Sequence, residues 1–316
     1  MRAPIPQIVL SLCAALAGPA SAAAQGELFK APGATLHYEV RGAGRGAALM
    51  VVNGGPGVEH GYLLCSDVWD RLAGSRKVIF YDQRGTGKSA PLAAGQPCGL
   101  AEQIEDLEAL RAHLGLEKMD LLGHSWGGYL VMAYAARHPE RIAHLIICDS
   151  AAPRWDDTIF LFKQVFPETT ARQDALDFAT ELGDPRALRE NFLEYLSMLF
   201  YSPEKRDAYM KTASADGYNK AVNEKVGADL KRFDLNPELP KFRFPALVLT
   251  GRHDMNVAPA VAWKIHQAIP GSRFQAFEKS GHMPFYEEPE AFRQAVEGFL
   301  GGPADEAGGA AAGARR

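Results

Sequence analysis

Five short apolar runs, at residues 48–52, 77–81, 119–122, 142–147 and 246–250, limit what this chain can fold into more than any other feature. Runs of this length, bounded by polar and turn-forming residues, suit strands buried on both faces. An earlier stretch, 35–40, alternates polar and apolar residues and reads as a further strand. Helical patterns lie between the runs, notably at 100–114 and 126–137, so strand and helix alternate as they do around a mostly parallel sheet. The fold class this predicts is α/β. At 316 residues, 47% of them apolar and 23% charged, the chain has the material for a full core.

The alternation stops between residues 152 and 241. There Trp155, Phe162, Phe192, Tyr195, Phe200 and Tyr209 recur at helical spacing, without β-rich runs. This predicts a helical cap inserted between two parts of one core, 25–151 and 242–300, with most of the aromatics serving the cap's own packing and the rest lining a pocket. Residues 301–316 are too poor in large apolar side chains to order themselves. At the other end Arg2, the apolar stretch 8–18 and the small residues 20–22 form the pattern of a cleaved export signal, residues 1–24, with cleavage near Ala22 or Ala24. Gly18 and Pro19 break the stretch short of the ~20 apolar residues that a membrane span needs. An exported protein, periplasmic or secreted and free of the membrane after cleavage, is expected. Export would permit a disulfide, for which Cys65 and Cys98 are the pair, while Cys148 ends a buried run and reads as a small hydrophobe. A net charge of -4 without a basic run excludes a grip on nucleic acid.

The sharpest chemical signal is Gly123-His124-Ser125-Trp126-Gly127-Gly128, placed where a strand pattern ends and a helical one begins. In that setting G-x-S-x-G is a nucleophile elbow, its glycines admitting a turn that leaves the serine exposed. A serine hydroxyl needs a base, and the base an orienting acid. Past the inserted segment, Asp254 follows the run ending at Thr250, and His282 follows the strand-like 274–277, giving the chain order Ser, Asp, His. Asp254 and His282 are the expected partners of Ser125; Asp149 is the rival acid and His253 the rival base. Charge that develops on an attacked carbonyl oxygen needs N–H donors. Asn53-Gly54-Gly55-Pro56-Gly57, just after the run 48–52, supplies candidates in the amides of Gly54 or Gly55, to act with that of Trp126. Gly87-Lys88-Ser89 suggests a phosphate loop, but Asp82 stands where its first glycine is required, so this segment is read as structural, with Arg84 anchoring carbonyls or Asp82. No Cys/His spacing fits a zinc site, and a serine triad with an oxyanion hole requires no metal or organic cofactor.

Gly54 to Gly57, Asp82-Gln83-Arg84-Gly85-Thr86-Gly87, the elbow, Gly251-Arg252-His253-Asp254 and Gly281-His282 together resemble the proline iminopeptidase family of serine peptidases, over residues 36–300. The resemblance implies an α/β-hydrolase fold and removal of one residue, often proline, from a small peptide or amide with a free N-terminus. It also implies that acidic side chains of the cap hold the substrate's amine; Glu190, Glu194, Glu204 and Glu224 are available, with Glu224 first because Asn223-Glu224 resembles an Asn-Glu step of related aminopeptidases. One departure is Asn53, where the family usually carries histidine. An esterase or amidase for small acyl substrates is the alternative, since the same triad serves both.

Overall fold

The computed structural model describes residues 26–44 and 46–301. The predicted export signal, and all but the first residue of the predicted tail, lie outside them. Eight strands form one sheet: β1 (Gly26–Ala31), β2 (Ala34–Arg41), β3 (Leu49–Val52), β4 (Val78–Tyr81), β5 (Met119–His124), β6 (Ile142–Cys148), β7 (Ala246–Gly251) and β8 (Arg273–Phe277). Their spatial order is β1-β2-β4-β3-β5-β6-β7-β8. The β1–β2 and β2–β4 pairs are antiparallel and all the others parallel, so β3 to β8 carry the parallel sheet. The α/β expectation holds, and the five apolar runs became β3 to β7. β1 was not anticipated: it is an edge hairpin arm, mostly exposed, and so carries no continuous apolar run.

Two cores, one on each face, explain why those runs are mostly apolar. Met50, Val52, Ile79 and Leu121 point to the face covered by helices Leu100–His113 and Trp126–Arg137. Their neighbours Leu49, Val51, Phe80 and Leu122 point to the face where Trp69, Phe285 and Phe292 pack. Successive strand residues face opposite ways, so a doubly covered strand takes a polar side chain only where it is paired, as Asp120 is by Arg76 and His144. The same division corrects the expected disulfide. Cys98 belongs to the first core and Cys65 packs against the second, so the sheet lies between them, and both are free, as is the buried Cys148.

Between β6 and β7 the chain is helical, with helices Phe162–Val165, Pro167–Glu181, Pro185–Ser197, Pro203–Met210 and Lys220–Leu230. Asp184, Ser202 and Asn219 each cap a helix start by accepting a backbone N–H. This segment is pinned to the loop bearing His282: the buried Glu287 carboxylate accepts the amides of Tyr201, Ser202 and Gly281, and Leu199 O accepts the His282 amide. Among the described residues no helix is long and apolar enough to cross a membrane.

Arg84, in the segment read as structural, does not reach Asp82. Its guanidinium grips the buried Asp106 bidentately, Nε and Nη2 each at 2.7 Å, and bonds the carbonyls of Pro97, Pro32 and Glu102. Removing one partner would strand the other charge in the core. Arg84→Ala is therefore expected to cost about 3–5 kcal/mol in urea unfolding, whereas Arg71→Ala, whose ion pairs are exposed, should cost less than about 1 kcal/mol.

Candidate active site

Ser125 sits between the last residue of β5 and the first of the helix Trp126–Arg137, with φ 59° and ψ −124°. A side chain rarely tolerates positive φ, so this serine is strained. Its neighbours show what permits the turn. A Cβ on Gly123 would lie 2.2 Å from Gly127 O, one on Gly127 2.2 Å from Val52 O, and one on Gly128 2.4 Å from the Ser150 Cβ. Ser125 is only 9% exposed, and its hydroxyl bonds to none of the described residues.

Asp254 and His282 meet in the loops after β7 and β8. His282 Nδ1 lies 2.7 Å from Asp254 Oδ2, and Asp254 Oδ1 accepts the amides of Asn256 and Val257 at 2.8 and 2.9 Å. The ring and its carboxylate are thus fixed as a pair, with His282 Nδ1 as donor and Nε2 free to accept. Asn256 Nδ2 approaches that Nε2 at 3.0 Å and also lies 3.1 Å from the Tyr195 hydroxyl. The rival acid Asp149 ends β6 with φ 45° and accepts the Gly251 amide at 2.8 Å. Burial, and then the neighbouring Asp254 carboxylate, push the Asp149 carboxyl well above the usual range. His253 stacks on Tyr201 at the surface side of its loop and makes no contact with Asp254 of the kind His282 makes.

The glycine loop after β3 runs against the elbow. Gly54 has no room for a Cβ, which would lie 2.8 Å from the Ser125 Cβ, and Gly55 has φ +126°. The Gly54 amide is already taken, by the Tyr62 hydroxyl at 2.6 Å. This leaves the Gly55 amide, with that of Trp126 at the first turn of its helix, as the pair free to meet a substrate oxygen. Asn53 ties the loop down through its own amide group, which donates to Gly54 O and Val58 O. Gln83 joins loop to elbow, donating to Asn53 O and accepting from the Trp126 indole. Asp82 fixes the loop's far end by accepting both the amide and the Nδ1 of His60, at 3.0 and 2.7 Å.

Ser125, His282, Gly54, Gly55 and Trp126 open together into a cavity of about 680 Å³ between the sheet and the helical segment. Of the aromatics singled out in the sequence, Trp155, Phe192, Tyr195 and Tyr209 line it, while Phe162 and Phe200 do not.

A protein-family model described as alpha/beta hydrolase fold matches residues 47–289. The proline iminopeptidase of Clostridium botulinum is 32% identical over 84% of this chain and 94% of its own length. That of Saccharolobus solfataricus is 30% identical over 83% and 87%. This chain belongs to the proline iminopeptidase family of α/β hydrolases. It shares its fold with solved hydrolases, among them an esterase from Exiguobacterium antarcticum at 26% identity, TM-score 0.69, covering 88% of this chain and 100% of that one. Another is an alpha/beta fold family hydrolase from Bacillus anthracis, at 24% identity and TM-score 0.71, covering 87% and 99%.

As a member of this family the chain is a hydrolase, and the cap carboxylates can be compared with its cavity. Glu224 is not among the residues lining it: its side chain is 64% exposed and pairs with Lys220 at 3.6 Å. Glu190, Glu194 and Glu204 are also off the lining, Glu194 being held by Arg172. The carboxylates that do line it are Asp177, exposed and bonded by Asn191, and Glu59, half-buried. No hydrogen bond or ion pair joins the Glu59 carboxylate to any described residue. Sequence reading missed Glu59, Tyr62, His60 and Asn256. The first three follow Gly54-Gly55-Pro56-Gly57 within a few residues, which was the available signal; nothing in the sequence marks Asn256.

His60 gives this loop a pH dependence. Burial opposes its charge, yet bonds to Asp82 and Glu39 outweigh it and raise the imidazole from 6.5 to about 9, while burial first of all lowers its neighbour His37. A raised histidine stabilises the fold fully below its unfolded pKa of about 6.5, and the contribution fades as pH rises through about 9. Urea midpoints of wild type and His60→Asn should therefore differ most near pH 6.5 and converge by about pH 10. A gap that stays constant across that window would contradict the pairing.

Proposed function

We propose that this hydrolase is a serine aminopeptidase that removes the N-terminal residue of small peptides through an acyl-enzyme on Ser125. The observation that carries the reading is the opening of Ser125, and of His282 bonded to Asp254, into one cavity with two uncommitted backbone amides. Ser125 Oγ attacks the carbonyl carbon of the first residue, and His282 Nε2 takes its proton once the Asn256 amide turns aside to Tyr195. The carbonyl oxygen becomes an oxyanion held by the amides of Gly55 and Trp126. His282 returns the proton to the leaving amine as the C–N bond breaks, and water, activated by the same nitrogen, releases the acyl group.

The substrate's ammonium needs a carboxylate once it is desolvated. We assign that part to Glu59, the half-buried cavity carboxylate without a cation partner, in preference to Glu224. The export reading belongs to the same proposal, and an N-terminus of the mature protein near residue 25 would support it. An esterase for small acyl substrates is the second reading; the mostly aromatic and aliphatic lining of the cavity and the likeness to a solved esterase favour it.

Proline, alanine and leucine aryl amides and a short acyl ester separate the two. Ser125→Ala should lower turnover of all of them by about 10⁴-fold or more. Glu59→Gln should lower kcat/KM for the free-amine substrates by about 10- to 100-fold and leave the ester within about twofold, with Glu224→Gln near wild type on both. Equal loss on ester and amide in Glu59→Gln would remove the amine-anchor assignment. Serine-dependent ester cleavage without amide cleavage would replace the peptidase reading with the second one.

A further inference from the structure

We propose that Tyr62 and His124 are positioning residues that carry one directed hydrogen-bond chain from the glycine loop to the backbone of His282, and so aim the Gly55 amide at the reacting carbonyl. The inference rests on Ser125 being the nucleophile. Three contacts build the chain: Gly54 N to the Tyr62 oxygen at 2.6 Å, that oxygen to His124 Nδ1 at 2.6 Å, and His124 Nε2 to the His282 carbonyl oxygen at 2.7 Å.

The direction of every link follows from what each atom can do. A carbonyl oxygen only accepts, so His124 Nε2 carries its hydrogen and donates to His282 O. Burial, and then nearby His282, hold the His124 imidazole well below its usual value, so the ring is neutral and Nδ1 bears a lone pair. Tyr62 must then donate its only hydroxyl hydrogen to Nδ1, which leaves the phenol oxygen as acceptor for the Gly54 N–H. No link can be reversed without breaking another.

The chain passes directly behind the nucleophile, because His124 is the residue before Ser125. It ties together three loops that the sheet alone leaves independent: the glycine loop after β3, the elbow after β5 and the base loop after β8. Phe285 presses on the His124 ring edge-to-face at 5.1 Å and on Tyr62 at 6.4 Å, which leaves the two rings little freedom to swing apart. Gly54, its amide consumed by Tyr62, becomes the fixed point from which the next amide, that of Gly55, projects. Without the chain the loop keeps its ties through Asn53 and Gln83 on the other side, so the fold should survive while the aim of the donor is lost.

A fluorophosphonate reagent tests this without knowledge of the substrate. Ser125 Oγ forms the new O–P bond, fluoride leaves, and the serine proton passes to His282, so the rate reads both nucleophile and oxyanion support. Wild type, Tyr62→Phe, His124→Phe and the double variant are compared by mass spectrometry of Ser125 labelling. Phe at 124 keeps a ring of similar shape against Phe285 but offers neither a donor to His282 O nor an acceptor to Tyr62. Each single variant should slow the bond-forming rate by roughly 10- to 100-fold, less than outright deletion of an oxyanion donor at the upper end of its range, with reagent binding within about twofold of wild type. The double variant should be no slower than the slower single one, because the chain is cut once. If His124→Phe does not fold, Tyr62→Phe decides alone through the split between binding and bond formation. A Tyr62→Phe protein labelled at the wild-type rate, or single effects that multiply in the double variant, would overturn the inference and leave Ser125 standing. A wild type that is not labelled at Ser125 would remove the nucleophile and this inference together.

Discussion

The strained turn at Ser125 sets the terms for everything around it. A non-glycine residue at φ 59° persists only where its surroundings over-determine it. Here three glycines allow approaches that no side chain could survive: the elbow against its own helix backbone, against the backbone at the end of β3, and against the Ser150 side chain just after β6. The serine is thereby held at the rim of the parallel strands, at the carboxyl ends where loops from β3, β4, β7 and β8 converge. Ligands of open α/β sheets sit at that edge for the same geometric reason.

Around this fixed point the loops are secured by buried polar groups more than by packing. Asp82, at the end of β4, accepts from His60 and from the Lys88 amide, so one carboxylate holds both the glycine loop and its own turn. Gln83 beside it bridges Asn53 and Trp126. Glu287 holds the base loop and the helical segment with one side chain. Each of these groups is nearly or fully buried, so each would be costly if left unpaired, and pairing them fixes a single arrangement of the loops. The cavity is the space these ties leave open.

Much of this was legible in the sequence. Strands covered on both faces are built mostly from apolar residues, so β3 to β7 announced themselves, whereas β1, exposed on an edge, had no such constraint. The elbow was legible because glycine is the only residue that fits at 123 and 127, and the chain order Asp254, His282 pointed to two residues that the structure brings to 2.7 Å. What stayed hidden depends on facing. Glu224 and Glu59 are equally plausible carboxylates in a string of letters; only the fold turns one to solvent beside Lys220 and the other into the cavity. The pairing of Cys65 with Cys98 failed for the same reason, since no spacing reveals on which side of a sheet a cysteine packs. Asn53, the residue that departs from the resemblance, holds the loop through its own amide, which donates to two neighbouring carbonyls.

The proposed chemistry at this site passes through an ester of Ser125. Rapid-quench intact-mass measurement of the wild-type protein mixed with a free-amine aminoacyl aryl ester reads that step directly. One aminoacyl group should be added within the first turnover, mapping to Ser125 and decaying as product forms. Turnover with no adduct, or an adduct on any other residue, would contradict it.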